Sequence, residues 1–263
     1  MPAGDYLARV ADHLAERASE ATDARVTVGE RALLAELTHP ESGRLAGLAH
    51  RPEGEMRAWP TEPSELAALA ADATDPLSRA VGVAALNALS APEMAWREGD
   101  PMASLSADVD VVATVGLFRP ALRKFGAATV RVVERDPPES VEAPSGATVT
   151  THAPGDCAAA FADADVCFLT GSALVYGGFD DYLGALETAG VSTVVLVGAT
   201  ASHWPEPAFE RGVSVVAGAR VVDPERVRER VLAGDCGTDL HDNGVQKVYV
   251  VGPEGAPGLA FDA

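Results

Sequence analysis

The chain has 263 residues, of which 39 are Asp or Glu and 20 are Lys or Arg, so its formal net charge is −19. This charge argues against nucleic acid or an anionic membrane surface as a partner, because both need a basic surface on the protein. The hydrophobic fraction of 47% argues against a disordered acidic protein and is enough for one large domain or two smaller ones.

The acidic residues are spread along the chain, and only two basic residues, Lys124 and Lys247, are lysines. This composition is typical of a salt-adapted, halophilic cytoplasm, where salt screens the repulsion between like charges. An acidic binding surface is the alternative interpretation. No run approaches the roughly 20 apolar residues of a membrane span, and Cys157, Cys167 and Cys236 are expected to be free thiols. We therefore expect a soluble, cytoplasmic protein.

The first hundred residues predict a small α+β domain. Residues 5–22 have the apolar spacing of an amphipathic helix, and two extended segments, 25–37 and 44–50, are expected to pair. A short helix is predicted over 64–72. A second is predicted over 75–90, where Asp75 caps the helix and Pro76 takes its first position.

Residues 98–101 mark the predicted boundary between domains 1–100 and 101–252. Beyond it, apolar runs alternate with helical segments, which predicts parallel strand–helix–strand units in an open α/β sheet. The predicted strands are 110–115, 129–133, 165–169, 192–197, 213–216 and 247–251. The predicted helices are 120–125, 156–164, 180–189 and 224–232. Residues 253–263 are expected to form a loose tail.

Ligands bind to open α/β sheets beyond the carboxyl ends of the strands. Gly116 follows the first predicted strand of the second domain, and Glu134 follows the next strand, 18 residues further on. This spacing is similar to that of the glycine and the ribose-binding acidic residue of dinucleotide-binding folds. Phe118 stands where a pyrophosphate loop needs glycine. The alternative, which this loop favours, is an ordinary turn with a surface carboxylate.

Two further features could contribute to a site at the same edge. The turn Thr170-Gly171-Ser172 could offer amide and hydroxyl donors to an anion, or only cap a helix. No Gly-x-Ser-x-Gly motif surrounds Ser172, which argues against a hydrolase nucleophile. Asn87 lies within an apolar helix and needs a hydrogen-bond partner if buried. It either holds a loop of the second domain or faces a cleft between the domains.

The six histidines show no compact metal-binding spacing. His203 follows the fourth predicted strand of the second domain and lies on the expected ligand edge, so it is the weak candidate for a metal ligand. A polar loop residue is the alternative interpretation. Two mixed groups of His, Cys and Asp, within 152–157 and 236–242, match no zinc pattern and are interpreted as solvated loops.

Taken in order, several segments resemble a prokaryotic family described as putative heavy-metal chelation, in which an enolase-N-terminal-like domain precedes the chelation domain. The resemblance covers about residues 5–234. It rests on 81–88 (VGVAALNA), 115–116 (VG), 133–137 (VERDP), 164–166 (ADV), 169–174 (LTGSAL), 196–199 (LVGA) and landmarks between 205 and 224.

The resemblance implies a small α+β, enolase-N-terminal-like domain followed by a Rossmann-like, mostly parallel sheet. It also implies a metal ion or metal-bearing ligand in the cleft between them. The residues that it makes candidates for this cleft are Asn87, Gly116, Glu134, Gly171 and Ser172. Enolase activity does not follow, because that chemistry uses a barrel domain that this chain lacks.

The leading hypothesis is a two-domain protein that binds a small ligand, either a transition-metal ion or an organic metal chelate, in the interdomain cleft. Glu134 would supply a carboxylate, and the Thr170–Ser172 turn would supply donors. The alternative is an enzyme with a nucleotide-like, adenosyl-type cofactor at Gly116 and Glu134. A non-catalytic interaction subunit is the third hypothesis. No acid–base pair or activated nucleophile is evident, so the sequence does not decide whether the protein is an enzyme. It also leaves a homo-oligomeric state open.

Overall fold

The protein, in a computed structural model that describes residues 3–126, 129–143 and 146–261, forms two sheets. One is a three-stranded antiparallel sheet, and the other is an eight-stranded, mostly parallel sheet. Helices cover both sheets. The predicted fold class, a mostly parallel α/β sheet preceded by a small α+β unit, is confirmed.

The N-terminal unit contains a β-meander packed against helices. Its elements are α1 (Ala3–His13), α2 (Ala15–Glu20), β1 (Thr22–Val28), β2 (Ala32–His39), β3 (Gly43–His50), α3 (Pro63–Asp72) and α4 (Pro76–Ser90). The expectation of one extended segment over 25–37 is wrong. A tight turn divides it, with the Gly29 N–H donating to the Ala32 carbonyl at 2.9 Å, so that β1, β2 and β3 pair in chain order.

Helix α4 begins as the sequence predicts and is buried along almost its whole length. The carboxylate of Asp75 accepts a hydrogen bond from the Ser78 N–H at 2.9 Å, and Pro76 occupies the first turn. The neighbouring backbones approach α4 closely because glycines stand at the contacts. A Cβ on Gly82 would lie 2.0 Å from the Ala70 nitrogen in α3, and one on Gly47 in β3 would lie 2.3 Å from the Ala84 carbonyl oxygen.

The large sheet contains the remaining strands. In chain order, its elements and covering helices are β4 (Arg97–Glu98), β5 (Val111–Val115), β6 (Thr129–Val133), β7 (Thr148–His152), α5 (Cys157–Phe161), β8 (Val166–Thr170), α6 (Ser172–Tyr176), α7 (Phe179–Ala189), β9 (Thr193–Val197), α8 (Glu206–Phe209), β10 (Val215–Val221), α9 (Pro224–Leu232), α10 (Thr238–His241) and β11 (Val245–Val251).

The strand order of this sheet is β4-β11-β10-β9-β8-β5-β6-β7. Strands β5 to β10 run parallel, whereas β11 and β4 are antiparallel to their neighbours. The chain proceeds outward from β5 to β7 and then returns to β8 on the other side of β5. The order therefore reverses beside β5, which is the switch point where ligands bind in doubly wound sheets.

Two elements of this part differ from the sequence expectations. Strand β7 was not predicted, because it is a partly exposed edge strand rather than a continuous apolar run. The helix expected over 120–125 is a 3-10 helix, Arg119–Lys124. The division at residue 100 stays a prediction, and β4 already pairs with β11 on the N-terminal side of it.

The C-terminal segment, expected to be loose, is packed onto the large sheet as far as residue 261. Leu259 forms a β-bridge with Leu105, and the Ala260 N–H donates to the Ser104 carbonyl at 2.7 Å. The ring of Phe261 stacks on Tyr249, with 4.6 Å between centroids. Apolar burial of these side chains holds the segment in place, whereas its glycine content alone suggested a free tail.

A buried ion pair joins the two units. Glu36 in β2 is 3% exposed and accepts two hydrogen bonds from Arg228 in α9, at 2.7 and 2.6 Å. Arg44 adds a third at 2.8 Å. Burial alone would raise the pKa of Glu36, but the hydrogen bonds and charges of the two arginines hold it below its usual value. Within the described residues, no helix combines the length and the apolar character needed to cross a bilayer.

Candidate functional site

A cavity of about 320 Å³ lies at the switch point of the large sheet. Its floor comes from the carboxyl ends of three neighbouring parallel strands, at Gly116 after β5, Glu134 after β6 and Thr170 at the end of β8. The N-terminal unit contributes His50, the last residue of β3. We call this space the switch-point cavity; its other polar or aromatic lining residues are Phe118, Arg135, Ser172, Tyr176 and Tyr182.

Gly116 allows the chain to turn away from β5 at the cavity floor. Its φ of +98° is one that L side chains rarely adopt, and its N–H still continues the sheet by donating to the Val133 carbonyl at 2.8 Å. A Cβ here would lie 3.4 Å from the side chain of Thr170. Glycine therefore satisfies the turn and leaves the space above the strand ends open.

The carboxylate of Glu134 is fixed by backbone donors. Oε2 accepts from the Leu117 N–H at 3.0 Å, and Oε1 accepts from the Arg135 N–H at 3.1 Å. The side chain thus spans the ends of β5 and β6. Because each carboxylate oxygen can accept two hydrogen bonds, both oxygens retain capacity for a ligand hydroxyl or amine.

The Thr170–Ser172 turn is divided between two roles. Thr170 and Ser172 line the switch-point cavity, and the Ser172 N–H donates to the Thr170 hydroxyl at 3.3 Å. Gly171 is not among the lining residues. Its N–H donates to the Val197 carbonyl at 2.8 Å, and a Cβ would lie 2.9 Å from the Ala201 nitrogen. Glycine is needed here for the approach of the Ala201 backbone.

Four residues of the cavity lining, His50, Arg135, Tyr176 and Tyr182, are not among the site residues expected from the sequence. The Tyr176 hydroxyl lies 2.9 Å from His50 Nε2, and the Arg135 guanidinium stacks on the Tyr176 ring at 3.8 Å. Burial, followed by the charge of Arg135, lowers the pKa of His50, so its imidazole is neutral at pH 7. Burial, reinforced by Cys157 and Glu134, raises the pKa of Tyr182, which keeps its hydroxyl protonated.

One of these residues left a signal in the sequence. Tyr176 follows Ser172 by four residues in α6, so a helix places both on one face. His50 and Tyr182 left none, because they reach the cavity through tertiary packing of β3 and α7.

Asn87 does not line the switch-point cavity. Its contacts agree with the interpretation that it holds a loop of the second domain. It is 2% exposed, and its Nδ2 donates to the carbonyls of Leu48 at 2.7 Å and Ala199 at 3.0 Å. Its Oδ1 lies 3.0 Å from His203 Nδ1. All its donors are committed to a loop of the large-sheet unit and to β3, which leaves none for a ligand.

His203 is also held inside the core, which argues against its interpretation as a metal ligand. The residue is fully buried, with Nδ1 on Asn87 and Nε2 2.7 Å from the Tyr6 hydroxyl. Burial lowers its pKa to about 4, so the ring is neutral at pH 7. Because both ring nitrogens are hydrogen-bonded inside the core, neither is free to coordinate a metal.

A metal ion held by protein side chains needs at least three donor groups close together. Across residues 3–126, 129–143 and 146–261, no three His, Cys, Asp or Glu side chains lie together as a metal site would require. Of these donor types, the switch-point cavity is lined by His50 and Glu134, which is one side chain fewer than such a site requires. The residues present do not fit a bare heavy-metal ion.

The strand order and the cavity beside its reversal define a Rossmann-like α/β protein with an additional N-terminal unit. The chain belongs to the DUF364 family, described as "Putative heavy-metal chelation", whose model matches residues 102–250. The resemblance drawn from the residue pattern is therefore confirmed.

Two solved structures from this family, both described as proteins with unknown function, have a similar fold. The one from Pyrococcus horikoshii is 19% identical, with a TM-score of 0.77 over 94% of this chain and 99% of that chain. The one from Desulfitobacterium hafniense DCB-2 is 17% identical, with a TM-score of 0.70 over 93% of this chain and 98% of that chain. At these identities the likeness shows the fold alone.

A mandelate racemase/muconate lactonizing enzyme from a Roseiflexus species is 11% identical, with a TM-score of 0.30 over 82% of this chain and 85% of that chain. This likeness is too low to carry an argument, and the enolase-N-terminal-like description of the first unit stays a prediction. Among the curated proteins, no match to the chain was found.

Proposed function

We propose that this protein binds a small organic molecule in the switch-point cavity, with Glu134 as its central acceptor. The observation that carries the proposal is the convergence of Gly116, Glu134 and Thr170 at three adjacent strand ends, facing a residue of the N-terminal unit, His50. A volume of about 320 Å³ lies at the small end of ligand pockets, which run from roughly 300 to 1,000 Å³.

The cavity offers complementary groups to a polar, compact ligand. Glu134 accepts hydrogen bonds from ligand hydroxyl or amine groups, and the hydroxyls of Thr170, Ser172 and Tyr182 donate or accept beside it. The Tyr176 ring, backed by Arg135, presents an aromatic face. These groups favour a ligand with a vicinal diol or an amine next to a flat ring.

The description of the family as heavy-metal chelation is compatible with this cavity if the metal arrives already bound to an organic ligand. An organic chelate supplies its own donor atoms, so the protein needs only to bind the organic part. This reading agrees with the lack of a three-residue donor set among the described residues. A bare metal ion would lack ligands in the switch-point cavity.

An adenosyl-type cofactor is the second candidate ligand, and a specific observation favours it. Glu134 directly follows β6, the strand next to β5, on the side where dinucleotide-binding folds place the carboxylate that holds the ribose hydroxyls. The Leu117-Phe118-Arg119 segment lacks the glycines of a pyrophosphate loop. A nucleoside without a pyrophosphate therefore fits this edge better than a dinucleotide.

The test is a thermal-shift screen followed by calorimetry. The probes are adenosine, S-adenosylmethionine, NAD, catechol, Ni²⁺ alone and Ni²⁺ bound to an organic chelator, each added to the wild-type protein and to Glu134→Gln. The matched control is Glu139→Gln, which removes the same charge from an exposed position outside the cavity.

An organic probe or chelate is expected to bind saturably to the wild-type protein and to Glu139→Gln. In Glu134→Gln its affinity should fall about 10- to 100-fold, the effect of losing charge-assisted hydrogen bonds worth roughly 1.5–3 kcal/mol. Equal affinity in Glu134→Gln and wild type would refute the role of Glu134. Saturable binding of Ni²⁺ alone would refute the preference for an organic ligand.

A further inference from the structure

A second and larger cavity, of about 600 Å³, adjoins the switch-point cavity at Leu117 and Phe118, which line both. It extends beneath the carboxyl end of β9 and along β10, between the Arg119–Lys124 helix and α10. Its interior is mainly apolar; side chains that form this interior include Leu48, Met102, Val197 and Leu240. We call it the basic cavity, for the charges described next.

The charge around this cavity is opposite to that of the chain. Five of the 20 basic residues line it, and they are Arg31, Arg119, Arg123, Lys124 and Lys247. Only two of the 39 acidic residues, Asp100 and Asp239, are among the residues that line it. Both lysines of the protein are thus at one cavity. In a chain of net charge −19, this lining is a local positive region, and screening over about 8 Å at physiological salt keeps it local.

The acidic residues in the lining already have partners. Asp100 Oδ2 accepts from Lys124 Nζ at 2.5 Å and from Lys247 Nζ at 2.6 Å, which holds the lysines at the wall. Asp239 lies 3.8 Å from the Arg31 guanidinium. Arg119 and Arg123 are exposed at the rim and form no ion pair with any residue in the described ranges. Their charge is available to a ligand.

We infer that the basic cavity is a binding site for a small organic anion with an apolar body. The apolar interior takes the body, and Arg119 and Arg123 at the rim bind the phosphate, sulfonate or carboxylate group. Guanidinium groups suit such anions because their planar donors match two oxygens at once. This site is separate from the one proposed above, because Glu134 does not line it.

The inference is tested with two fluorescent probes that differ by one anionic group. One is 8-anilino-1-naphthalenesulfonate, and the other is its uncharged analogue N-phenyl-1-naphthylamine. Each is titrated at a fixed salt concentration into the wild-type protein, Arg119→Gln, Arg123→Gln and the double variant. Arg25→Gln is the matched control, since Arg25 is an exposed arginine on β1 that lines neither cavity. Circular dichroism melting verifies that each variant is folded.

The sulfonate probe is expected to bind the wild-type protein saturably. Each rim substitution should weaken it about threefold and the double variant about tenfold, as for exposed charge pairs worth up to about 1 kcal/mol each. Binding of the uncharged probe should not change, and Arg25→Gln should match wild type with both probes. The inference is overturned if the wild-type protein does not bind the sulfonate probe. It is also overturned if the double variant binds that probe as tightly as wild type, or loses both probes equally.

Discussion

The side chains of Asn87 and His203, 116 residues apart in the chain, form a buried hydrogen bond of 3.0 Å that joins the two units. The partners of both residues fix its direction. Asn87 uses both amide protons on the Leu48 and Ala199 carbonyls, so its Oδ1 must accept, and His203 Nδ1 carries the proton. Nε2 is then an acceptor, and the Tyr6 hydroxyl donates to it at 2.7 Å.

Removing the Asn87 amide should destabilise the fold strongly. Asn87→Ala removes the partner of the buried His203 N–H and a donor to the Leu48 carbonyl, while the Ala199 carbonyl keeps only the Ser202 hydroxyl. We expect a loss of about 2–4 kcal/mol in the free energy of unfolding. Urea denaturation measures it. Asn243→Ala is the control, because the partners of Asn243 are exposed and its loss should be under about 1 kcal/mol. Equal losses in the two variants would contradict the buried network.

The neutral state of His203 should make stability depend on pH. Its pKa is about 4 in the folded protein and about 6.5 when unfolded, so below pH 6.5 the unfolded chain binds more protons. This contribution, up to about 3 kcal/mol, is fully present above pH 6.5 and is lost as the pH falls towards 4.

The measurement is urea unfolding at several pH values between 7 and 4.5. The pKa values of His50 and His241 are also lowered by burial, and acidic groups titrate near the end of this range. The contribution of His203 is therefore the difference between wild type and His203→Gln. We expect a shallower loss of stability in the variant, and identical slopes would count against a buried neutral imidazole.

Two glycine substitutions should have opposite effects. In Gly82→Ala the new Cβ would lie 2.0 Å from the Ala70 backbone, so α3 and α4 must separate, and a loss of at least about 1–3 kcal/mol is expected. In Gly184→Ala, the methyl group meets open space on the exposed face of α7, and a gain of about 0.5–1 kcal/mol is expected. Thermal unfolding of both variants measures the difference. Destabilisation by Gly184→Ala would contradict the open environment described for it.

The net charge of −19 should make the fold depend on salt. If the composition reflects a salt-rich cytoplasm, raising KCl from 0.1 M to 2 M should increase the free energy of unfolding by more than about 1 kcal/mol, because the Debye length falls from about 10 Å to below about 3 Å. Urea titrations at both concentrations measure this change. A stability that stays constant or falls would contradict the halophilic interpretation.

The sequence predicted best those elements whose signals are local. Helix α9 has the predicted bounds, 224–232, because Asp223 caps it and Pro224 fixes its first turn. Strand β6 likewise has the predicted bounds, 129–133, and its three valines are buried. Strand β7 was missed because it lies at the sheet edge with mixed exposure, and such a pattern does not differ from that of a loop.

The candidate site was predicted in part, for a similar reason. Gly116, Glu134 and Thr170 follow from the rule that strand ends share one edge, and no packing detail is needed. Asn87 was singled out as a candidate cleft residue and His203 as a weak candidate for a metal ligand. Their hydrogen-bond partners lie in distant segments, so their structural role could not be read from spacing. The charge of the basic cavity likewise depends on residues as distant as Arg31 and Lys247.

The central claim is that Glu134 binds an organic ligand in the switch-point cavity. It is tested most directly by a crystal structure of the protein with the tightest organic probe from the screen. The account predicts density for that probe in the cavity, with a hydroxyl or amine group within about 3.2 Å of the Glu134 carboxylate. Density for the same probe at another site, with no density for it beside Glu134, would contradict the account.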